Sequence, residues 1–333
     1  MKIRYPDYYK KFQCLAGACP DTCCAGWEIT VDPASERWYR QLRKQGRIRN
    51  REFAEKLKKY VKDGQIISED VTCPFLDSNG LCEMYRELGP ESLCHTCARH
   101  PRHLEDYGNL HEMVLLLSCP EVARLVLEEN GDGFYVRELP EKQGNMDGID
   151  EELLEYLLQI RELIWKIGRK DDMFINHRMA FSLALAHDVQ RYLQTGNFYE
   201  VGRVLKRYEK DGSEKRFFAQ WNGTGAEQKK MEDFARDFER DFERVFSYFI
   251  YSFFLGALYD RDALTKVKMA IWCTMRIEES YAGQSAALTL ETRVDICHTL
   301  ARRIENCDED RMELERRLKG RDFAARRMIH ALL

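Results

Sequence analysis

Apolar residues recur at helical spacing through most of the second half of the chain. The segment EELLEYLLQIRELIWKIG, residues 151–168, repeats apolar side chains at this spacing and ends at Gly168, a residue that favours helix termination. Residues 171–197 show the same period, begin with two acidic residues and stop at Gly196. These patterns predict two long helices, each with one face in a core.

An aromatic stripe leads into the most apolar part of the chain. Phe234, Phe238 and Phe242 recur every four residues and precede VFSYFIYSFFLGALY, residues 245–259. This stretch is shorter than the roughly 20 residues that a helix needs to cross a bilayer, and it contains serine and tyrosine. The pattern predicts a buried central helix, and we expect no membrane partner.

The helical period is interrupted at residues 128–150, where four glycines, a proline and many charged residues occur. This composition indicates a domain boundary. The predicted fold class is mainly α, with an irregular cysteine-rich metal-binding N-terminal region (1–130) packed with a helical C-terminal domain (148–333). Strands in the first region are expected to be short and few.

Charge narrows the choice of partners. The formal net charge of −4 argues against a generally basic nucleic-acid binder, so we expect no nucleic-acid partner. Residues 43–62 carry nine Lys and Arg against two Glu, which could steer an acidic partner, although a solvated helix face is the simpler interpretation. Residues 291–320 alternate acids and bases, which predicts helices with an exposed, salt-bridged surface.

Thiols are crowded near the start of the chain, in CLAGACPDTCC at residues 14–24. The first 30 residues contain several charges and no apolar run long enough for a secretion signal, so we expect a cytoplasmic, reducing location. Dense cysteines in such a compartment more often bind metal or do redox chemistry than form disulfides. Cys23 and Cys24 are adjacent and would point to opposite sides of an extended segment, which suggests separate roles.

Nine of the twelve cysteines lie between residues 14 and 119. An Asn-Gly dipeptide, typical of tight turns, lies between Cys73 and Cys82 and brings them closer together. Cys94 and Cys97 have the C-x2-C spacing that lets two thiolates of one turn face one ion. One tetrahedral zinc or one 4Fe-4S cluster needs about four thiolates, so the spacing leaves open one site with spectators or two sites.

Three segments carry a family resemblance. They are FQCLAGACPDTCCAGWEITVD (12–32), CPFLDSNGLCEMYRELGPESLCHTCARHPR (73–102) and LLLSCPEVARLVL (115–127). In order and spacing, these segments resemble the flagellin lysine N-methylase family. Their cysteine pattern is also similar to that of a broader set of zinc- or iron-chelating domains.

The resemblance implies a function and a set of metal ligands. It implies methyl transfer from S-adenosylmethionine to the ε-amines of lysines on flagellin or another lysine-bearing protein. It also implies a 4Fe-4S cluster, with zinc as the alternative metal. Carried over by position, the implied ligands are Cys14, Cys19, Cys23, Cys24, Cys73, Cys82, Cys97 and Cys119. Cys94 has no counterpart in the resemblance.

Two cofactor signatures are incomplete or missing in the sequence. Cys19 and Cys23 supply the first interval of the radical S-adenosylmethionine signature C-x3-C-x2-C, but Gly26 occupies the third position, which disfavours a radical mechanism. No G-x-G-x-x-G follows a predicted strand, so neither a cofactor pocket nor catalytic residues are assigned. The polar candidates near the motifs are Glu28, Asp32, Tyr85 and Glu121.

Two other functions remain open at this point. A metal-binding interaction or redox protein without methyl transfer would account for the missing cofactor signature. A structural zinc protein would use its helical domain to hold a partner, since sites of four cysteines stabilise small irregular regions by themselves. The iron, sulfide and zinc content of the protein separates these possibilities.

Overall fold

The computed structural model describes residues 2–25, 29–68, 72–128, 134–138, 144–220, 236–285 and 287–333, with the backbone alone for 134–138. The strands are β1 (Lys2–Pro6), β2 (Ile29–Thr30), β3 (Val61–Lys62), β4 (Gln65–Ile66), β5 (Arg102–Tyr107), β6 (Leu110–Leu115) and β7 (Phe134–Glu138). The α-helices of the first part are α1 (Pro33–Lys44), α2 (Arg51–Tyr60), α3 (Glu83–Leu88), α4 (His95–Arg99) and α5 (Pro120–Glu128). Those of the second part are α6 (Glu151–Gly168), α7 (Ile175–Thr195), α8 (Phe198–Tyr208), α9 (Ser213–Phe218), α10 (Glu239–Phe253), α11 (Ala257–Asp260), α12 (Ala263–Ala282), α13 (Leu290–Glu305), α14 (Asp308–Leu318) and α15 (Ala325–Leu332).

The two long helices predicted from periodicity are confirmed as α6 and α7. Asp150 caps α6, where its carboxylate accepts a hydrogen bond from the backbone N–H of Leu153 at 3.0 Å. Gly196 ends α7 with φ of +68°, a left-handed conformation that glycine adopts at little cost. Both helices bury their apolar faces in one large core, which accounts for the observed period.

The predicted central helix is also confirmed, with one break. The apolar stretch forms α10, a short 3-10 turn at Phe254–Gly256, and then α11. Phe242 and Phe249 are fully buried within it. Phe234 lies outside the described residues. Across the described helices, none is long and apolar enough to cross a membrane.

A four-stranded sheet with order β5-β6-β1-β7 packs on the helical core. β1 runs parallel to β6 and antiparallel to β7. β7 lies inside the segment 128–150 that the sequence assigned to a domain boundary. Tyr107, Leu115 and Val122 from the first 130 residues are buried in the same core as the C-terminal helices. The mainly helical class is therefore confirmed, whereas the cysteine-rich region is not set apart as a whole.

A second, smaller core lies within residues 29–97. Its centre is formed by Phe53, Leu57, Phe75 and other side chains from α1, α2, α3 and the short strands β2, β4 and β3. Phe53 and Leu57 form the buried face of α2, whereas Arg51, Lys58 and Lys59 of the same helix are exposed to solvent. Each strand of this core is only two residues long, so its backbone pairing contributes little order.

One ion pair joins the sheet to the helices inside the large core. The guanidinium of Arg161 on α6 donates two hydrogen bonds to the carboxylate of Glu112 on β6, at 2.7 and 2.5 Å. Both side chains are almost fully buried, with exposed fractions of 1% and 2%. The guanidinium also lies over the rings of Trp165 and Tyr251. Because both groups are buried away from water, each charge of this bidentate pair is stabilised by the opposite charge of its partner.

A buried carboxyl on α12 makes stability depend on pH. Burial raises the pKa of Glu278 to about 7, against a hydrogen bond from Asn176 that lowers it, and the charge of Glu239 adds to the rise. The folded protein therefore holds this proton more tightly than the unfolded chain. Preferential protonation of Glu278 in the folded state stabilises the protein fully below about pH 4.5. This stabilisation is lost as the pH rises through about 7 and the carboxyl ionises.

Glu278→Gln is expected to raise the melting temperature at pH 8 and to change it little at pH 5. The neutral amide removes a buried charge that forms only at the higher pH, and the free energy involved is about 1–3 kcal/mol. Thermal melts of the wild type and the variant at both pH values measure this difference. Glu155→Gln on the exposed face of α6 is the control. An equal shift at both pH values would contradict the prediction.

Candidate functional site

All twelve cysteines are free thiols. The nine N-terminal ones divide into two neighbouring groups with Cys24 between them. The first group, here called the loop thiols, consists of Cys14, Cys19, Cys23 and Cys119. The second group, here called the core thiols, consists of Cys73, Cys82, Cys94 and Cys97, which belong to or pack against the small core.

The loop thiols lie within electrostatic range of one another. Burial raises the pKa of Cys119 to about 11, and the charges of Cys19 and Cys14 add to that rise. A hydrogen bond with Cys24 raises the pKa of Cys23, to which burial and the charges of Cys14 and Cys119 contribute further. Cys14 accepts a hydrogen bond from the backbone N–H of Ala16 at 3.4 Å. These four residues come from one loop and from the start of α5.

The core thiols respond to each other and to Cys24. Burial raises the pKa of Cys73 to about 12, and the charges of Cys24, Cys82 and Cys94 add to it. A hydrogen bond between Cys94 and Cys97 lowers the pKa of Cys94 to about 7 and raises that of Cys97. Within this hydrogen-bonded pair, Cys94 is therefore the more acidic thiol.

Adjacent Cys23 and Cys24 stand at the boundary between the two groups. Their thiols are hydrogen-bonded, which lowers the pKa of Cys24 to about 6 and raises that of Cys23. Cys23 is influenced by the loop thiols, whereas Cys24 acts on the core thiols. The backbone carbonyl of Cys24 also accepts a hydrogen bond from the N–H of Cys73 at 2.7 Å. The adjacent residues Cys23 and Cys24 thus connect the loop thiols with the core thiols.

No coordination sphere is already assembled in the described part of the chain. Within it, no three His, Cys, Asp or Glu side chains are arranged so that they could hold a metal ion. The predicted ligand set of Cys14, Cys19, Cys23, Cys24, Cys73, Cys82, Cys97 and Cys119 therefore stays a prediction. Apart from Cys24, the structure places these thiols in the two groups described above, and neither group surrounds a common metal position.

Helix α13 holds the loop that carries three of the loop thiols. The guanidinium of Arg302 donates hydrogen bonds to the Asp21 carboxylate and to the carbonyls of Thr22 (3.0 Å) and Ala25. His298, one turn earlier on the helix and 3% exposed, has Nδ1 3.7 Å from the Asp21 carboxylate. Cys23 and Cys24 lie within the segment that these contacts fix.

The C-terminal end of α13 holds the turn before Cys119. The Glu305 carboxylate accepts hydrogen bonds from the backbone N–H groups of Leu117 (3.3 Å) and Ser118 (2.8 Å), and from the hydroxyl of Tyr248. Burial raises the pKa of this carboxyl, whereas the hydrogen bonds lower it. One helix therefore positions both chain segments that supply the loop thiols.

Sequence reasoning missed this role of α13. The alternation of acids and bases predicted an exposed, salt-bridged surface, yet Val294, Cys297, His298, Ala301 and Ile304 are buried. Arg302 and Glu305 look like ordinary members of the charged pattern. The partners that they hold beside the loop thiols lie between 187 and 281 residues away in the sequence, so no local spacing could identify them.

The polar candidates named from the sequence mostly have structural roles. Asp32 caps α1 through Ser35 and also accepts a hydrogen bond from the backbone N–H of His95 at 3.0 Å. Glu121 is paired with Arg124. Tyr85 is 53% exposed, and Glu28 lies outside the described residues. Burial lowers the pKa of nearby His100 to about 4, so its imidazole is neutral at physiological pH.

Comparison with known proteins identifies the C-terminal part. Residues 224–329, which include α10 to α14, match the family model described as FliB lysine N-methylase C-terminal domain. The flagellar biosynthetic protein FliU of Salmonella muenchen is 33% identical over 132 residues, which cover 38% of this chain and 78% of that protein. The chain belongs to the FliB lysine N-methylase family. The resemblance found in the cysteine motifs is thereby confirmed.

Two further members of the FliB lysine N-methylase family match this chain over a smaller share of their own length. The proteins named lysine-N-methylase in Salmonella typhimurium and Salmonella choleraesuis are each 34% identical over 132 residues. These residues cover 38% of this chain and 33% of each relative, so the chain spans about a third of their length. No solved structure matches the chain. Helix α13 falls inside the part that matches the family model.

Proposed function

We propose that this protein is an S-adenosylmethionine-dependent protein lysine N-methyltransferase that acts on flagellin in the cytoplasm and carries a 4Fe-4S cluster. The observation that carries the proposal is the connection between two features. The part that matches the methylase family supplies helix α13, and that helix fixes both segments that bear the loop thiols. The cysteine motifs and the family domain thus form one structural unit.

The loop thiols have the donor chemistry that the cluster requires. Four cysteine thiolates hold a 4Fe-4S cluster, and Cys14, Cys19, Cys23 and Cys119 supply four. Since no metal-holding arrangement is formed among the described side chains, these thiols would have to turn toward a common centre. When bound, such a cluster supplies one-electron chemistry. In this assignment Arg302 and Glu305 are positioning residues, because they hold the loops and not the metal.

Methyl transfer to lysine requires an uncharged amine in the active site. The uncharged ε-amine of a substrate lysine attacks the methyl carbon, a C–N bond forms, and the C–S bond of the sulfonium breaks to leave a thioether. The amine is protonated at neutral pH, so one proton must leave before or during the attack. A site of this kind orients the amine and excludes water, which favours its neutral form.

Two open clefts are large enough to admit the adenosyl group. The first, of about 530 Å³, lies between α7, α8, α9 and α15, and it combines the aromatic rings of Phe181 and Phe217 with Arg216 and Arg326. The second, of about 650 Å³, lies between α6 and α8 and includes Arg203. Both clefts combine aromatic rings, which suit adenine, with arginines, which suit the carboxylate of S-adenosylmethionine. We favour the first cleft, because Arg326 and Ile329 in its lining lie in the part that matches the family model, whereas the residues that line the second cleft lie outside that part.

Arg326→Ala is expected to weaken S-adenosylmethionine binding roughly tenfold, because a charge-assisted hydrogen bond contributes about 1.5–3 kcal/mol. Isothermal titration calorimetry of the wild type and the variant measures this change. Arg203→Ala in the second cleft is the matched control and should bind as the wild type does. The reverse result would place the cofactor in the second cleft, and no effect of either variant would contradict both locations.

The proposed function is tested with protein purified without oxygen. About four iron and four sulfide per chain are expected, and incubation with flagellin and S-adenosylmethionine should give methylated lysines by mass spectrometry. Cys119→Ser should lose iron and activity, whereas Cys307→Ser, outside both thiol groups, should keep both. Iron-loaded protein that binds S-adenosylmethionine and methylates no lysine would contradict the proposal. It would support a metal-binding interaction or redox protein instead.

A further inference from the structure

Basic residues are concentrated on the outer side of the small core, in segment 43–62, here called the basic segment. Its nine bases against two acids give it a formal charge of +7, so the rest of a chain whose total is −4 carries −11. Seven of the nine bases are exposed to solvent. Like charges held this close together repel one another, so the fold alone gives no reason to gather them here.

Exposed bases elsewhere in the protein are balanced by acids of the same helix. On α14, Arg311 and Arg316 each pair with a carboxylate three residues earlier, at 2.7 Å. The basic segment differs, because no carboxylate among the described residues pairs with Arg43, Lys58 or Lys62. These three charges are therefore not neutralised by the part of the chain that the structure describes.

The same three cations line a cleft between α1 and α2, here called the basic cleft. It has a volume of about 290 Å³, and the buried side chains of Tyr39 and Leu57 form part of its lining. Its charged residues are four cations and two carboxylates, namely Arg40, Arg43, Lys58, Lys62, Glu36 and Asp63. Glu36 already accepts a hydrogen bond from Arg40 at 3.0 Å. Three cations and one carboxylate thus remain to meet a ligand.

The two helices that form the basic cleft are held in place by local and core contacts. Asp32 caps the start of α1, and Asn50 caps the start of α2. Tyr39 on α1 and Leu57 on α2 are both buried in the small core. The backbone that carries the cations is therefore ordered before a partner arrives, which lowers the entropy cost of binding.

The charge and the dimensions of the basic cleft fit a short acidic stretch of protein. Carboxylates offer the opposite charge, and an arginine such as Arg43 can bind a carboxylate through two parallel hydrogen bonds. Helix α1 has 12 residues and is about 18 Å long, a distance that an extended peptide of about five residues spans. A few consecutive acidic side chains would therefore reach all of the unpaired cations.

Nucleic acid and lipid fit this cleft less well. A long polyanion would extend beyond the cleft over a protein whose remaining formal charge is −11. Tyr39 is only 3% exposed, so it presents no ring face on which a base could stack. A bilayer surface is flat on the scale of one cleft and would contact its rim without entering it.

We propose that the basic cleft is a docking site for an acidic segment, about five residues long, of a partner protein. Arg43, Lys58 and Lys62 supply the charges that bind the segment, and the field of the whole basic segment attracts it over a longer range. This docking function goes beyond the proposed methyl transfer and holds whether or not the chain methylates lysines.

A fluorescein-labelled hexaglutamate peptide is the probe, and its fluorescence anisotropy with the full chain measures binding. We expect binding at about 0.1 M salt and at least about tenfold weaker binding at about 1 M, where the Debye length falls to roughly 3 Å. A hexaglutamine peptide should not bind. This comparison uses the wild-type protein alone, so it does not depend on the folding of any variant.

Charge reversal locates the binding surface. Arg43→Glu combined with Lys58→Glu should weaken hexaglutamate binding about tenfold or more, because each attraction becomes a repulsion. Arg303→Glu combined with Arg327→Glu is the matched control, since these side chains are 75% and 67% exposed, lie outside the basic cleft and give the same change in net charge. The control should bind as the wild type does.

Three results would overturn the proposal. The first is no binding of hexaglutamate by the wild type at the lower salt concentration. The second is an equal loss of binding in the two double variants, which would mean that only the net charge matters. The third is tighter binding of single-stranded DNA of matched charge, or of phosphatidylglycerol vesicles, which would assign the cleft to nucleic acid or to a membrane surface.

Discussion

Glu112→Gln is expected to lower the free energy of unfolding by about 3–5 kcal/mol, as the loss of one partner from a buried ion pair does. Arg161 is 1% exposed and donates two hydrogen bonds to Glu112. The variant keeps the shape of the side chain but leaves the buried guanidinium without the counter-charge of Glu112. Arg4 offers no compensation, because it is itself a cation, 3.3 Å from the same carboxylate.

Urea unfolding of the purified chain measures this loss. Glu200→Gln is the matched control, because Glu200 pairs with an arginine, Arg203, that is 65% exposed, and such pairs contribute about 0–1 kcal/mol. Replacing both buried partners by apolar residues, as in Glu112→Leu with Arg161→Met, should recover much of the stability. Equal losses for the buried and the exposed variant would show that the pair does not depend on its burial.

Arg302→Ala is expected to raise the alkylation rate of Cys19, a half-buried thiol that donates a hydrogen bond to the Asp21 carbonyl, about 10- to 100-fold. The side chain holds the loop at Asp21, Thr22 and Ala25, and hydrogen bonds to charged groups contribute about 1.5–3 kcal/mol, or one to two powers of ten in the open population. The loop should therefore leave its place on α13 more often. The core thiols, which Arg302 does not contact, should react at the wild-type rate.

Alkylation followed over time by peptide mass spectrometry reports each cysteine separately. Arg303→Ala is the control, since Arg303 is adjacent to Arg302, is 75% exposed, and lies 3.8 Å from Asp310 and away from the thiol loop. It should leave all the rates unchanged. A uniform increase at loop and core thiols alike would mean that Arg302 supports the whole fold and does not act on one loop.

The helical part of the fold could be predicted because its determinants are local. The apolar period, the cap at Asp150 and the terminator at Gly196 all lie within the helices that they define or next to them. The same holds for α2 within the basic segment 43–62, where Phe53 and Leu57 are buried and Arg51, Lys58 and Lys59 are exposed. Interactions between residues three or four apart leave a visible pattern in the sequence.

The sheet and the division of the thiols could not be predicted, because they depend on distant pairings. β1 pairs with β6 through Lys2 and Leu110, which more than 100 residues separate. Spacing indicated that Cys23 and Cys24 could serve different sites, but it could not show that the charge of Cys119 acts on Cys23 or that the Cys24 carbonyl accepts a hydrogen bond from the N–H of Cys73. The candidate residues were visible in the sequence, whereas their grouping required the tertiary structure.

The distance in sequence between α13 and the loop with Cys14, Cys19 and Cys23 also fixes when that loop can take its folded position. Arg302 lies 281 residues after Asp21, and synthesis at about 5–20 residues per second separates their emergence by on the order of 15 to 60 s. During that interval the cysteines near the start of the chain have left the ribosome, and the helix that will hold their loop does not yet exist. Until α13 has formed, the loop lacks its contacts with Arg302, so its thiols meet oxidants in a conformation that the folded protein does not keep.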